Sequence, residues 1–127
     1  MQHKVLANYF KQVEQAILKC SHAYVEQYTE EIITPERANL RIRIRFEKGH
    51  LLEINEAVVV RNGVIVSLDY RYHCQDKHNQ LIFRYDNTPH FPGLSSYPHH
   101  KHLPDSVIVA GKPHIEGIID EVMLAMS

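Results

Sequence analysis

The chain has 127 residues, a length that fits one domain with a real core and needs neither disulfides nor a structural metal. Its formal charge of -1 excludes the broad electrostatic capture of DNA or RNA that a strongly basic protein achieves, so any nucleic-acid contact must be local. At 44% hydrophobic and 23% charged residues it reads as water-soluble, and no apolar run approaches the roughly 20 residues of a membrane helix. The start, MQHKVLANYFKQVEQ, lacks the apolar block and cleavage site of a secretory signal, which makes the cytoplasm the expected compartment. Cys20 and Cys74 form neither a Cys-x-x-Cys pair nor a disulfide framework and read as small hydrophobes.

Val5, Leu6, Tyr9, Phe10, Val13 and Ile17 recur at steps of three and four, predicting a helix from about His3 to Lys19 with one apolar stripe. A strand is expected from about Ala23 to Ile33, ending near Pro35, although its alternation is imperfect. From Asn39 to Glu47 alternation is strict: Leu40, Ile42, Ile44 and Phe46 share one face, and Arg41, Arg43 and Arg45 the other. Lys48-Gly49 permits a hairpin into a strand from His50 to Val60. Asn62-Gly63 is a strong hairpin signal, because both central positions of a type I′ turn need positive φ. The next strands run from Val64 to about Cys74 and, after a polar turn at Asp76 to Asn79, from Gln80 to Asp86.

Asn87 to Asp105 carries Pro89, Pro92, Pro98 and Pro104 and reads as a long loop. Val107 to Ala110 is a candidate edge strand, and Pro113 opens a helix striped by Ile115, Ile118, Ile119, Val122 and Met126. The fold class is therefore α+β, a single domain over 1–127: an antiparallel meander of about five strands with the N-terminal and C-terminal helices on one face.

Chemistry concentrates between Asp69 and His102, which hold six of the ten histidines. Strand parity sends Val66, Leu68, Tyr70 and Tyr72 toward the helices, with Phe83 and Tyr85, and sends Arg71 and His73 to the open face. There Arg84 and Asp86 meet them if the hairpin register matches. A solvated face with cross-strand ion pairs would give the same pattern. The loop adds His90, His99, His100 and His102, and in an extended run His100 and His102 point the same way while His99 points opposite. Solvated loop histidines are the bland alternative.

Two imidazoles with Arg71, Arg84 or Lys101 meet the needs of metal-free RNA cleavage through the 2′-hydroxyl: a base, an acid and cations for the phosphate. No cofactor is then required. His100, His102, His90 and Asp86 also offer nitrogen and oxygen donors to a divalent transition metal, although this spacing is weakly specific. Zincin, zinc-finger, P-loop and serine-hydrolase motifs are absent from the sequence. The arginine stripe fits either a soluble sheet face or contact with an acidic segment or nucleic-acid backbone.

The run from Tyr70 to His102 contains Tyr-x-Tyr-His, then FRYDNTPH from Phe83 to His90, then PHHKH from Pro98 to His102. With the preceding hairpins and the Arg-Asn-Gly turn, it resembles the TumE family of prokaryotic toxin-antitoxin proteins over most of the chain. The resemblance implies a growth-inhibiting toxin neutralised by a cognate antitoxin, typically a DNA-binding protein. It falls on Tyr70, Tyr72, His73, Arg84, Tyr85, Asp86, Asn87, Pro89, His90 and Pro98 through His102. One departure is Phe91, where the family often carries a second histidine. The combined expectation is a metal-independent endoribonuclease toxin. His100, His102, His90, Asp86, Arg84 and His73 are its catalytic candidates, and Arg71, Lys101, Tyr72, Asn87, Arg41, Arg43 and Arg45 its substrate-binding candidates. A non-enzymatic inhibitory module and a metal-dependent hydrolase are the alternatives. The expected partners are the antitoxin and RNA, with no membrane, and a homodimer is compatible with the sequence.

Overall fold

A computed structural model describes residues 3–127. Helix α1 spans Lys4–Leu18, and its first turn is capped by His3, whose Nδ1 accepts the Val5 N–H at 3.1 Å. Seven strands follow: β1 Ala23–Thr34, β2 Arg37–Phe46, β3 Leu51–Arg61, β4 Val64–Gln75, β5 Leu81–Asp86, β6 His100–Leu103 and β7 Ser106–Val109. Helix α2, Ile115–Met126, closes the chain. The strands form one sheet in the order β1-β2-β3-β4-β5-β6-β7, each antiparallel to the next. No helix among the described residues is long and apolar enough to cross a membrane.

The meander arises from alternation punctuated by turns. Asn62 and Gly63 have φ of 51° and 77°, the positive pair that a type I′ turn requires. At Gly49, φ is 94° and an added Cβ would stand 2.6 Å from the Lys77 Cβ, so two neighbouring turns pack too closely there for a side chain. Leu40, Ile42, Ile44 and Phe46 of β2 are buried, as are Leu52, Ile54 and Val58 of β3, Tyr70, Tyr72 and Cys74 of β4 and Phe83 of β5. Leu6, Phe10, Val13 and Ile17 of α1 join this core with Ile115, Ile118, Ile119 and Val122 of α2, so both helices cover one sheet face.

Two expectations require correction. The sheet has seven strands rather than about five, because part of the expected loop, His100–Leu103, is β6 and pairs with β5. Pro98 and Pro104 bracket a polar stretch with no apolar alternation, so the strand exists only through the edge that β5 offers it. Second, Val66 and Leu68 do not join the core. Ala57 pairs with Asp69 and Val58 with Ser67, leaving Leu68 as the extra residue of a bulge, and parity reverses before it. Ser67 and Ile65 turn toward the helices instead.

Candidate functional site

Register assembles the open face. Arg41 pairs with Asn55, Asn55 with Arg71, Arg71 with Asp86, and Asp86 with His100, so these five form one row across the strands. The adjacent row runs Arg43, Glu53, His73, Arg84 and His102. Paired residues of an antiparallel sheet project to the same side, so Arg71, His73, Arg84, Asp86, His100 and His102 meet on one surface. Arg84 stands between two imidazoles, and its Nε donates to His73 Nδ1 at 3.2 Å. A cavity of about 180 Å³ beside it is lined by Glu53, Asn55, Arg71, His73 and Arg84.

Three polar side chains converge at the edge of these rows. His100 Nε2 lies 2.9 Å from Asp86 Oδ1, His102 Nε2 lies 3.3 Å from Asp86 Oδ2, and the two Nε2 atoms are 3.0 Å apart. Asp86 and His100 are 5% and 1% exposed, whereas His102 is partly open. His100 Nδ1 faces the Pro98 carbonyl at 2.9 Å, and a carbonyl only accepts, so the proton sits on Nδ1. Thr88 N–H donates to Asp86 Oδ1 at 3.0 Å. The Phe91 ring closes the site edgewise, with its centroid 4.9 Å from that of His100 and 5.8 Å from that of His102. At His102 burial is the strongest influence and, with the nearby His100 and Arg84 charges, outweighs the Asp86 carboxylate, so its pKa falls below the usual imidazole value. One donor atom from each of Asp86, His100 and His102 lies within 4.8 Å of the others, the arrangement able to hold a metal.

A family model described as Toxin TumE matches residues 13–126. The chain belongs to the TumE toxin family. No curated protein and no solved structure matches it. A toxin of such a family works, in general terms, with an antitoxin partner.

The toxin's remaining candidates lie outside the Asp86 cluster. His90 is exposed in the loop, with its ring against Phe91 rather than in the cluster. Lys101 projects to the helix side, where its Nζ reaches Glu121 at 2.5 Å and sits 4.8 Å from the Tyr85 ring centre. Burial works against its charge, but Glu121 and Tyr85 outweigh that and raise its pKa. Tyr72 is buried on the same side and donates to Glu56 Oε2 at 2.6 Å. Asn87 holds the β4 bulge: its Oδ1 accepts the Tyr70 N–H and its Nδ2 donates to the Leu68 carbonyl. Arg43 is neutralised by Glu26 and Glu53, and Arg45 by Glu26, which leaves Arg41 as the exposed member of the stripe. His99 pairs with the Tyr70 hydroxyl at 2.9 Å, away from His100.

Sequence reasoning missed Glu56, which shares the inward parity of Leu52, Ile54 and Val58. That parity was the available signal. Its carboxylate accepts from Tyr9, Tyr72 and Ser67 and stands 3.2 Å from Lys112 Nζ. Burial first, then the Glu56 charge, pushes the Tyr9 and Tyr72 phenols far above their ordinary pKa, so both remain donors. Burial likewise pushes the Cys74 thiol up to about 12, which removes it as a nucleophile.

Proposed function

We propose that this toxin arrests growth by cleaving RNA on the open face of its sheet, without a metal in the reaction itself. One observation carries the reading: the strand register sets Arg84 between His73 and His102, a guanidinium flanked by two imidazoles. Arg84 and Arg71 have no carboxylate within ion-pair distance among the described residues, so their charge is available to a phosphate. One imidazole takes the proton of the 2′-hydroxyl as its oxygen attacks phosphorus. The other protonates the departing 5′-oxygen as the P–O5′ bond breaks, leaving a 2′,3′-cyclic phosphate and a 5′-hydroxyl. Asp86 and His100 are too buried to touch RNA and instead position His102.

Membership of a toxin family supports this reading, because RNA is a target whose loss stops growth. The local cation pair also suits a chain whose net charge of -1 prevents general nucleic-acid binding. The test incubates purified toxin with cellular RNA in excess chelator and maps the new ends. Wild type should leave cyclic phosphates, and His102→Gln or His73→Gln should cut at least about a hundredfold more slowly. An intact RNA pool beside arrested cells would overturn the reading in favour of an inhibitory binding module.

A further inference from the structure

We infer that Asp86, His100 and His102 form a binding site for one divalent transition-metal ion, in which His102 is shared with the proposed proton-transfer chemistry.

His100 already gives its Nδ1 proton to Pro98, so in the neutral imidazole Nε2 presents a lone pair. That lone pair lies 2.9 Å from one carboxylate oxygen of Asp86 and 3.0 Å from His102 Nε2. Two of the three side chains are more than nine-tenths buried, so water cannot relieve the crowding. One proton shared among the three groups bridges at most two of these contacts. A cation at the common point settles all three.

The separations suit such an ion. Ligands at about 2.1 Å stand roughly 3.0 Å apart at neighbouring octahedral positions and roughly 3.4 Å apart at tetrahedral ones. The observed contacts span 2.9 to 3.3 Å. Outer contacts of the kind that orient metal ligands are also in place: the Pro98 carbonyl holds the His100 ring, and the Thr88 N–H holds Asp86. Phe91 shields both rings. Two imidazoles with one carboxylate select manganese, iron, cobalt, nickel or zinc over magnesium and calcium, which prefer all-oxygen sites. The ion's open positions would face the partly exposed side of His102, toward Arg84.

One consequence rests on the function proposed above. A bound ion occupies the His102 lone pair that proton transfer requires, so metal should switch RNA cleavage off.

The experiment uses the full untagged chain, stripped with chelator and titrated with cobalt(II) and zinc(II) by calorimetry and visible absorption. Wild type should bind one equivalent and develop cobalt d–d bands. Asp86→Asn and His102→Gln should each bind at least about tenfold more weakly, and His90→Gln should bind as wild type does. His102 is partly exposed, so its variant keeps the fold, which circular dichroism checks. Absence of binding by wild type, or equal binding by wild type and His102→Gln, overturns the site. If the metal binds and RNA stays intact with or without it, the site stands and the cleavage reading fails. If metal accelerates cleavage, the site stands and the switch is refuted.

Discussion

Glu56 and Asp86 are both buried carboxylates of the same sheet, one beneath the helices and one on the opposite face. Glu56 is surrounded by donors: the hydroxyls of Tyr9, Tyr72 and Ser67 and the Lys112 ammonium, which also lies over the Tyr70 and Tyr72 rings. Asp86 receives one backbone N–H and otherwise meets two imidazole nitrogens that also stand 3.0 Å from each other. The first network has a proton for every contact and behaves as structure. The second crowds one carboxylate and two imidazoles around a single fixed donor and is the place where a ligand or a moving proton has something to satisfy.

That contrast is broken most sharply by exchanging the two carboxylates' fates. Glu56→Ala leaves three hydroxyls and the partly exposed Lys112 ammonium without their acceptor and should destabilise the fold by about 2–4 kcal/mol in urea unfolding. Asp86→Asn, measured on metal-free protein, should cost less than about 1 kcal/mol, since the amide brings a donor to a site rich in acceptors. It should nevertheless abolish growth inhibition. A large stability loss from Asp86→Asn would place both clusters in the same structural class.

A second effect separates the clusters by pH. Tyr9 and Tyr72 have pKa values raised in the folded state, so their contribution is fully present below the ordinary phenol value of 10.0 and is lost as pH rises beyond it. Stability should therefore fall steeply above about pH 10, and Tyr72→Phe should flatten that fall, followed by thermal melts across the alkaline range. The open face should contribute nothing to this limb.

The smallest effect lies within the arginines. Arg43 and Arg45 already serve Glu26 and Glu53, so replacing them with alanine should leave RNA binding unchanged. Arg71→Ala should weaken RNA binding and reduce its log–log salt slope by roughly 0.7, the share of one phosphate contact on a single strand. Equal slopes for all three variants would remove the distinction between paired and free guanidiniums.

Much of the scaffold was readable along the chain. The strict alternation of β2, the Asn62-Gly63 turn and both helical stripes are local patterns, and they agree with the structure within a residue or two. Parity put Arg71 and His73 on a face that Arg84 and Asp86 would share if the hairpin register matched, and the folded register pairs Arg71 with Asp86 and His73 with Arg84. Parity failed upstream of Leu68, where one unpaired residue reverses the faces. It also gave no warning that His100–Leu103 is a strand, since these residues carry no apolar alternation of their own.

The residue types, their periodicity and their turn chemistry were determined by the amino-acid order alone, because they depend on neighbours a few positions away. Which imidazoles meet Asp86, and whether a buried carboxylate finds donors or rivals, was decided only in the folded molecule. Those outcomes depend on register between distant strands, where a shift of one residue sends a side chain to the opposite face.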